Sequence, residues 1–322
     1  MPEPSAPLLL DGALATELRR RGFELEAPLF AARALLEAPD LLVEIHRDYA
    51  LAGAQVLSTN SFGLHAATLA RAGMAERQAE LAARSVELTF LARQLVRQSG
   101  SERTSFRVAA SVPPPPPSPS EGDAPELTRA ALRSLASALV DAGADLVLFE
   151  TFAKPEHIRA ALEVAGALEV PVWLSVVGDA RPGHRGQLLG GVPFDALAAL
   201  LREPGLRRPD ALLLNCTQID AVPRALDALL QTARAAGLEG VDLGLYPHLG
   251  RARHDGEWID RILEAEVYAG QIEAWMAARP ALSIAGACCG STPAYVEALA
   301  RRLHPDAAAR ERANVRLAHR LP

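Results

Sequence analysis

ALSIAGACCGSTPAYVEALARRL, residues 281–303, reads as a strand, a turn and a helix in direct succession. The apolar run at its start is short and nearly continuous, as in a strand covered on both faces. A hydroxyl residue and then Pro293 follow the turn, a pattern that opens helices. Between them Cys288 and Cys289 stand side by side in a chain with three cysteines. Adjacent cysteines are poorly placed to bond each other, and a buried pair could serve as small apolar filler. Gly286 and Gly290 on either side mark a strand end where the backbone turns sharply or approaches another group closely.

The same unit recurs along the chain. Apolar runs lie at 7–13, 54–62, 107–112, 145–151, 171–177, 211–217, 241–249 and 281–289. Helical stretches such as DLLVEIHRDYALAG (40–53) and ELTRAALRSLASALVDAG (126–143) separate them, each ending in the glycine usual after a helix. Eight such units predict a single-domain α/β fold over residues 1–322, a (β/α)8 TIM barrel. A doubly wound open sheet is the alternative, but no G-x-G-x-x-G follows the first run. Three long loops follow runs three, five and seven. The first, proline-rich at 113–125, has polyproline character. It reads as a compositional insertion or as a rim segment over the barrel mouth. The others are SVVGDARPGHRGQLLGG (175–191) and LYPHLGRARHDGEW (245–258).

Composition narrows the function classes. Apolar residues make up 49% and aromatics 5%, so the core is aliphatic. A net charge of −6 offers no basic face for nucleic acid. No apolar run is long enough to cross a membrane, and the N-terminus lacks the pattern of a secretory signal. The expected location is the cytoplasm, where thiols stay reduced or bind metal. The odd cysteine count also argues against a disulfide framework.

In a barrel of this kind the C-terminal strand ends form the active site. Cys216 ends the sixth run, and Cys288 and Cys289 end the eighth. Three thiols there suit zinc, whose catalytic sites combine three protein ligands with one open position. Three packed core cysteines are the competing reading. Asp11 and Gly12 end the first run, Thr59 and Asn60 the second, and Glu150 the fourth, while Asn215 precedes Cys216. Carboxylates are rarely buried unpaired. Asp11 therefore meets water, caps a helix begun by DGALATELRRRG, or binds a cation, and Glu150 reads best as a ligand-binding group.

LLLDGALATEL, IHRDYALAGAQVLSTNSFG, LFET, LLLNCT and GACCGSTPAYVEAL together resemble the homocysteine S-methyltransferase family. The resemblance implies a zinc-dependent (β/α)8 barrel with Cys216, Cys288 and Cys289 as metal ligands. It implies that Asp11, Gly12 and Glu150 help hold the amino-acid end of homocysteine and that Thr59 falls on a substrate-contacting position. Asn60, Asn215 and His248 fall on supporting or donor-side positions. The implied reaction moves a methyl group from a small donor, S-methylmethionine or S-adenosylmethionine, to homocysteine and yields methionine. Alternatives are a related thiol or selenol methyltransferase, a homocysteine-activating subunit served by a separate corrinoid protein, or a zinc-binding, thiol-sensing barrel without turnover. The chain departs from the family pattern in the proline-rich loop and in LYPHLG, where His248 replaces the usual Asn. Both departures concern the donor side, where His248 reads as a donor contact or as a solvated rim residue.

Overall fold

The computed structural model of the protein describes residues 6–100, 106–116, 124–249, 251–252, 258–259 and 263–320. Each of the eight apolar runs contributes a strand: β1 (Leu8–Leu9), β2 (Val56–Ser58), β3 (Arg107–Val112), β4 (Leu146–Phe152), β5 (Val172–Val177), β6 (Ala211–Gln218), β7 (Asp242–His248) and β8 (Leu282–Ala285). All neighbours pair in parallel and in chain order, with β8 against β1. A parallel bridge between Leu10 and Val56 joins β1 to β2 and closes the barrel. The first, second and eighth strands are shorter than their apolar runs, because the chain leaves the ladder early at those ends.

Helices follow the strands in order: α1 (Pro39–Ala52), α2 (Gln78–Gln98), α3 (Pro125–Asp141), α4 (Pro155–Ala165), α5 (Phe194–Leu201), α6 (Val222–Ala235), α7 (Ala265–Ala277) and α8 (Pro293–Leu303). Proline opens α1, α3, α4 and α8, where its missing N–H is not needed and its φ suits the first turn. Gly53 ends α1 at φ 117°, a left-handed stop open to glycine. The side chain at the start of α8 makes no capping hydrogen bond. The neighbouring Ser291 hydroxyl instead accepts the Ala13 N–H at 3.1 Å, tying the β8 loop to the β1 loop.

Alternation along the strands sorts the core into two layers. Leu8, Leu10, Val56, Ala109, Leu146, Leu148, Trp173, Leu213 and Ile284 fill the barrel interior. The opposite faces pack against the helices. A last helix, α9 (Ala307–Arg320), sends Leu317 into the interior cluster. Its Arg316 and Arg320 pair with Asp242 at the start of β7, so α9 closes the end of the barrel opposite the cysteines.

The loops after β5 and β7 each carry a two-residue antiparallel ladder, Gln187–Leu188 with Val192–Pro193 and Arg251–Ala252 with Trp258–Ile259. Residues 117–123 of the proline-rich loop lie outside the described residues, as do 250, 253–257 and 260–262 of the loop after β7. No helix among the described residues is long and apolar enough to cross a membrane.

Candidate metal and substrate site

Three thiols converge at the C-terminal mouth of the barrel. The sulfurs of Cys216 and Cys289 lie 4.0 Å apart and those of Cys288 and Cys289 3.8 Å apart. All three fall within 4.8 Å of one another. A tetrahedron with metal–sulfur bonds of roughly 2.3 Å has edges of roughly 3.8 Å, so the spacing matches a tetrahedral three-sulfur site. The packed-filler reading fits poorly, because each cysteine keeps part of its surface exposed. Among the described residues no other group of His, Cys, Asp and Glu atoms could hold a metal ion.

The backbone explains how neighbouring cysteines reach the same point. The Cys288 N–H donates to the Pro247 carbonyl at 3.1 Å, and the Leu249 N–H donates to the Cys289 carbonyl at 3.0 Å. The loop after β8 is thereby stitched to the end of β7. Gly290 then turns at φ 88°, and Gly286 has no room for a side chain, since a Cβ there would lie 2.8 Å from that of Leu10. Within the cluster, hydrogen bonds from Cys216 and Cys288 hold the Cys289 thiol well below its ordinary value, and one from His248 adds to this. Cys216 is pushed well above its ordinary value, first by its hydrogen bonds to Cys288 and Cys289 and then by burial. Three thiolates this close repel one another, and a bound cation is what lets them ionise together.

Two carboxylates stand at the same mouth. Asp11 is 4% exposed and does not cap the following helix, which starts at Leu14 without a side-chain cap. Its carboxylate accepts the Ser58 N–H at 2.8 Å and the Ser58 hydroxyl at 3.0 Å. Burial pushes its pKa up to about 8, more than these bonds lower it. Glu150 accepts hydrogen bonds from the Ser111 hydroxyl and, at 3.3 Å, from the Tyr246 hydroxyl. Its enclosure raises its pKa to about 7. Ser58, Ser111 and Tyr246 went unnoticed in the sequence. Each is a polar residue at the C-terminal end of an apolar run, the same signal that marked Glu150.

The remaining candidates take separate places. Thr59 is buried, and its hydroxyl is shared between Ser61 at 2.7 Å and the Ser111 N–H at 3.0 Å. It therefore stands one step behind Glu150 and sets Ser111. Asn60 donates to the Ala31 carbonyl at 2.8 Å and ties down the loop after β2, away from the cysteines. Asn215 bonds Thr151. His248 is 2% exposed, which removes the reading of a solvated rim residue. It lines a cavity of about 330 Å³ together with Cys216, Gln218, Leu189 and the 177–181 segment after β5.

Gly12 is a packing requirement. A Cβ there would lie 2.6 Å from the Ser291 hydroxyl and 2.7 Å from the Tyr49 ring. The Tyr49 hydroxyl in turn donates to the Ala13 carbonyl at 3.0 Å. Gly12→Ala is expected to cost about 1–3 kcal/mol, the usual penalty for overfilling a packed site. Urea denaturation would show it as a lower midpoint. An unchanged midpoint would mean that Tyr49 and Ser291 yield freely.

The profile of the homocysteine S-methyltransferase family matches residues 8–303. The chain belongs to that family. Homocysteine S-methyltransferase of Escherichia coli is 34% identical over 92% of this chain and 94% of its own length. Selenocysteine Se-methyltransferase of Brassica oleracea var. italica is 27% identical over 92% of this chain and 88% of its own. The crystal structure of the Escherichia coli homocysteine methyltransferase MmuM in its metallated form superimposes with a TM-score of 0.74 at 30% identity, covering 92% of this chain and 96% of that one. Family membership thus agrees with the closed barrel and the three-sulfur cluster at its mouth.

Proposed function

We propose that this protein transfers a methyl group from a small sulfonium donor, S-methylmethionine or S-adenosylmethionine, to the sulfur of homocysteine, giving methionine. One observation carries the reading: a cluster of three thiols shares the mouth of one barrel with two carboxylates, Asp11 buried and Glu150 partly so. A thiol amino acid has its sulfur at one end and its ammonium at the other, and the two halves of the site suit those ends. Cys216, Cys288 and Cys289 are the ligands for zinc, which when bound supplies a positive centre that favours the ionised form of an incoming thiol.

The chain's own residues do the rest. Asp11 and Glu150 hold the ammonium group, and Ser58, Ser111 and Tyr246 aim the two carboxylates. Burial and then the charge of Glu150 keep the Tyr246 phenol protonated, so it remains a donor. His248 hydrogen-bonds Cys289 and borders the cavity beside Cys216. We place the donor on that side, away from the carboxylates. The acceptor sulfur attacks the methyl carbon as the donor's sulfur–carbon bond breaks, and the leaving thioether keeps the bonding pair. Positive donor and negative acceptor become two neutral thioethers, so no side chain acts as a base on carbon. Holding the two in line supplies much of the acceleration. The reduced thiols suit a cytoplasmic setting.

Methionine formation by the zinc-loaded protein from homocysteine, with S-methylmethionine, S-adenosylmethionine and betaine as separate donors, tests the reading. The two sulfonium donors are expected to support turnover better than betaine, and no product with any donor would refute a methyltransferase. In the same assay His248→Asn, the family's usual residue, should change the ratio of rates between donors while zinc content stays the same. Equal donor ratios would move the donor away from His248. The Brassica relative gives a second acceptor to include, selenocysteine, in place of homocysteine.

A further inference from the structure

Two junctions at the barrel mouth adopt a backbone conformation that side-chain-bearing residues avoid. Thr151 has φ 69° and Cys216 φ 43°. Such residues persist only where their surroundings hold them, and they gather at functional sites. Each lies where a ladder breaks. The β4–β5 register shifts between Phe149 and Phe152, and the β6–β7 register shifts between Asn215 and Gln218.

β4 and β6 are not neighbours, because β5 runs between them. Asn215 nevertheless spans the gap. Its Nδ2 donates to Thr151 Oγ1 at 3.0 Å, and its Oδ1 accepts the Thr151 N–H at 3.3 Å. Asn215 is fully buried, and Thr151 partly so. The pair connects the residue directly after Glu150 to the residue directly before Cys216.

We infer that the Asn215–Thr151 pair fixes the span between the cysteine cluster and Glu150 and thereby sets the chain length of the thiol amino acid accepted. The inference rests on the proposed reading that the sulfur binds at the cysteines and the ammonium at Glu150. A ligand pinned at both ends must match the distance between its anchors. With both junctions free to relax, the anchors would adapt to a thiol one methylene shorter. With the junctions bonded to each other across β5, they hold their separation. Discrimination of one methylene is ordinarily about 10- to 200-fold, and this pair is where such discrimination would originate. Asn215 and Thr151 are positioning residues, since each acts through its neighbour.

The experiment compares binding of homocysteine and cysteine to the zinc-saturated protein by calorimetry, for wild type, Thr151→Val and Thr151→Ser. Valine keeps the branched shape but removes the hydroxyl acceptor, and serine restores it. Wild type and Thr151→Ser are expected to prefer homocysteine by at least about tenfold. In Thr151→Val that preference should narrow about tenfold, mostly through weaker homocysteine binding, with KM rising more than kcat falls. Asn215→Ser removes the bridge from the other side and should narrow the preference likewise if Thr151→Val folds poorly. An unchanged preference in the folded variants, or equal losses for both thiols, would overturn the inference while leaving the functional reading intact. Failure of wild type to bind either thiol would overturn both.

Discussion

Cys289→Ala protein is expected to purify folded but with zinc bound at least about a hundredfold more weakly, and without measurable methionine formation. Zinc sites of four ligands are worth roughly 10–16 kcal/mol in small peptides, or roughly 3 kcal/mol for each ligand lost, and each 1.4 kcal/mol is about a factor of ten. The barrel core is independent of the cluster, apart from the contact that Cys288 makes with the interior side chains. Folding should therefore survive. Competition with a chromophoric chelator measures the affinity, and X-ray absorption of the wild type should show three protein sulfurs around the metal. Cys216→Ala should behave alike. The triple alanine variant should retain no zinc, and stoichiometric zinc in it would show that the metal sits elsewhere. Cys289 is the informative single change, because it approaches both other sulfurs within 4.0 Å and carries the bond from His248.

Glu150→Gln should keep its zinc and lose about 10- to 100-fold in affinity for the amino acid, as expected when a charge-assisted hydrogen bond of roughly 1.5–3 kcal/mol is removed. The product methionine is the better probe, since it has no thiol to titrate. In the ligand-free protein, enclosure holds Glu150 up to about 7 and Asp11 up to about 8, against ordinary values of 4.5 and 3.8. The sign follows from linkage. Both groups favour the folded state when protonated. That contribution is complete below their ordinary values and is lost as pH rises through about 7 for Glu150 and about 8 for Asp11. An ammonium ligand selects the ionised carboxylates, so methionine affinity should rise across the same window, by about tenfold per pH unit for each proton released. Glu150→Gln should lower that slope by about one proton below pH ~7. An unchanged slope would remove Glu150 as the ammonium partner and leave Asp11 alone in the role.

Strand and helix order was legible because each βα unit is a local matter. The apolar runs, the prolines at N-termini and the glycines after C-termini act within a few residues, and eight units in a row admit little besides a barrel. The proximity of Cys216 to the Cys288–Cys289 pair followed from topology, since strands six and eight flank the seventh. Asp11 and Glu150 stood out because carboxylates at the ends of apolar runs have no packing reason to be there. The neighbours that tune them were less visible. Ser58, Ser111 and Tyr246 resemble ordinary strand residues until the barrel closes, and Thr59 looked like a substrate contact until its hydroxyl proved committed to Ser61 and Ser111.

By itself the sequence determined the class of fold, the family and the kinds of side chain at the mouth, since these depend on residue type and on spacing along the chain. Tertiary structure alone decided how those side chains are occupied. Asp11 serves Ser58 rather than a helix cap, and His248 is buried against Cys289 rather than solvated. Asn215 reaches over β5 to a residue sixty-four positions away. The physical reason is that hydrogen bonds and burial depend on distance in space. Closing the barrel makes neighbours of strand ends that share no local pattern.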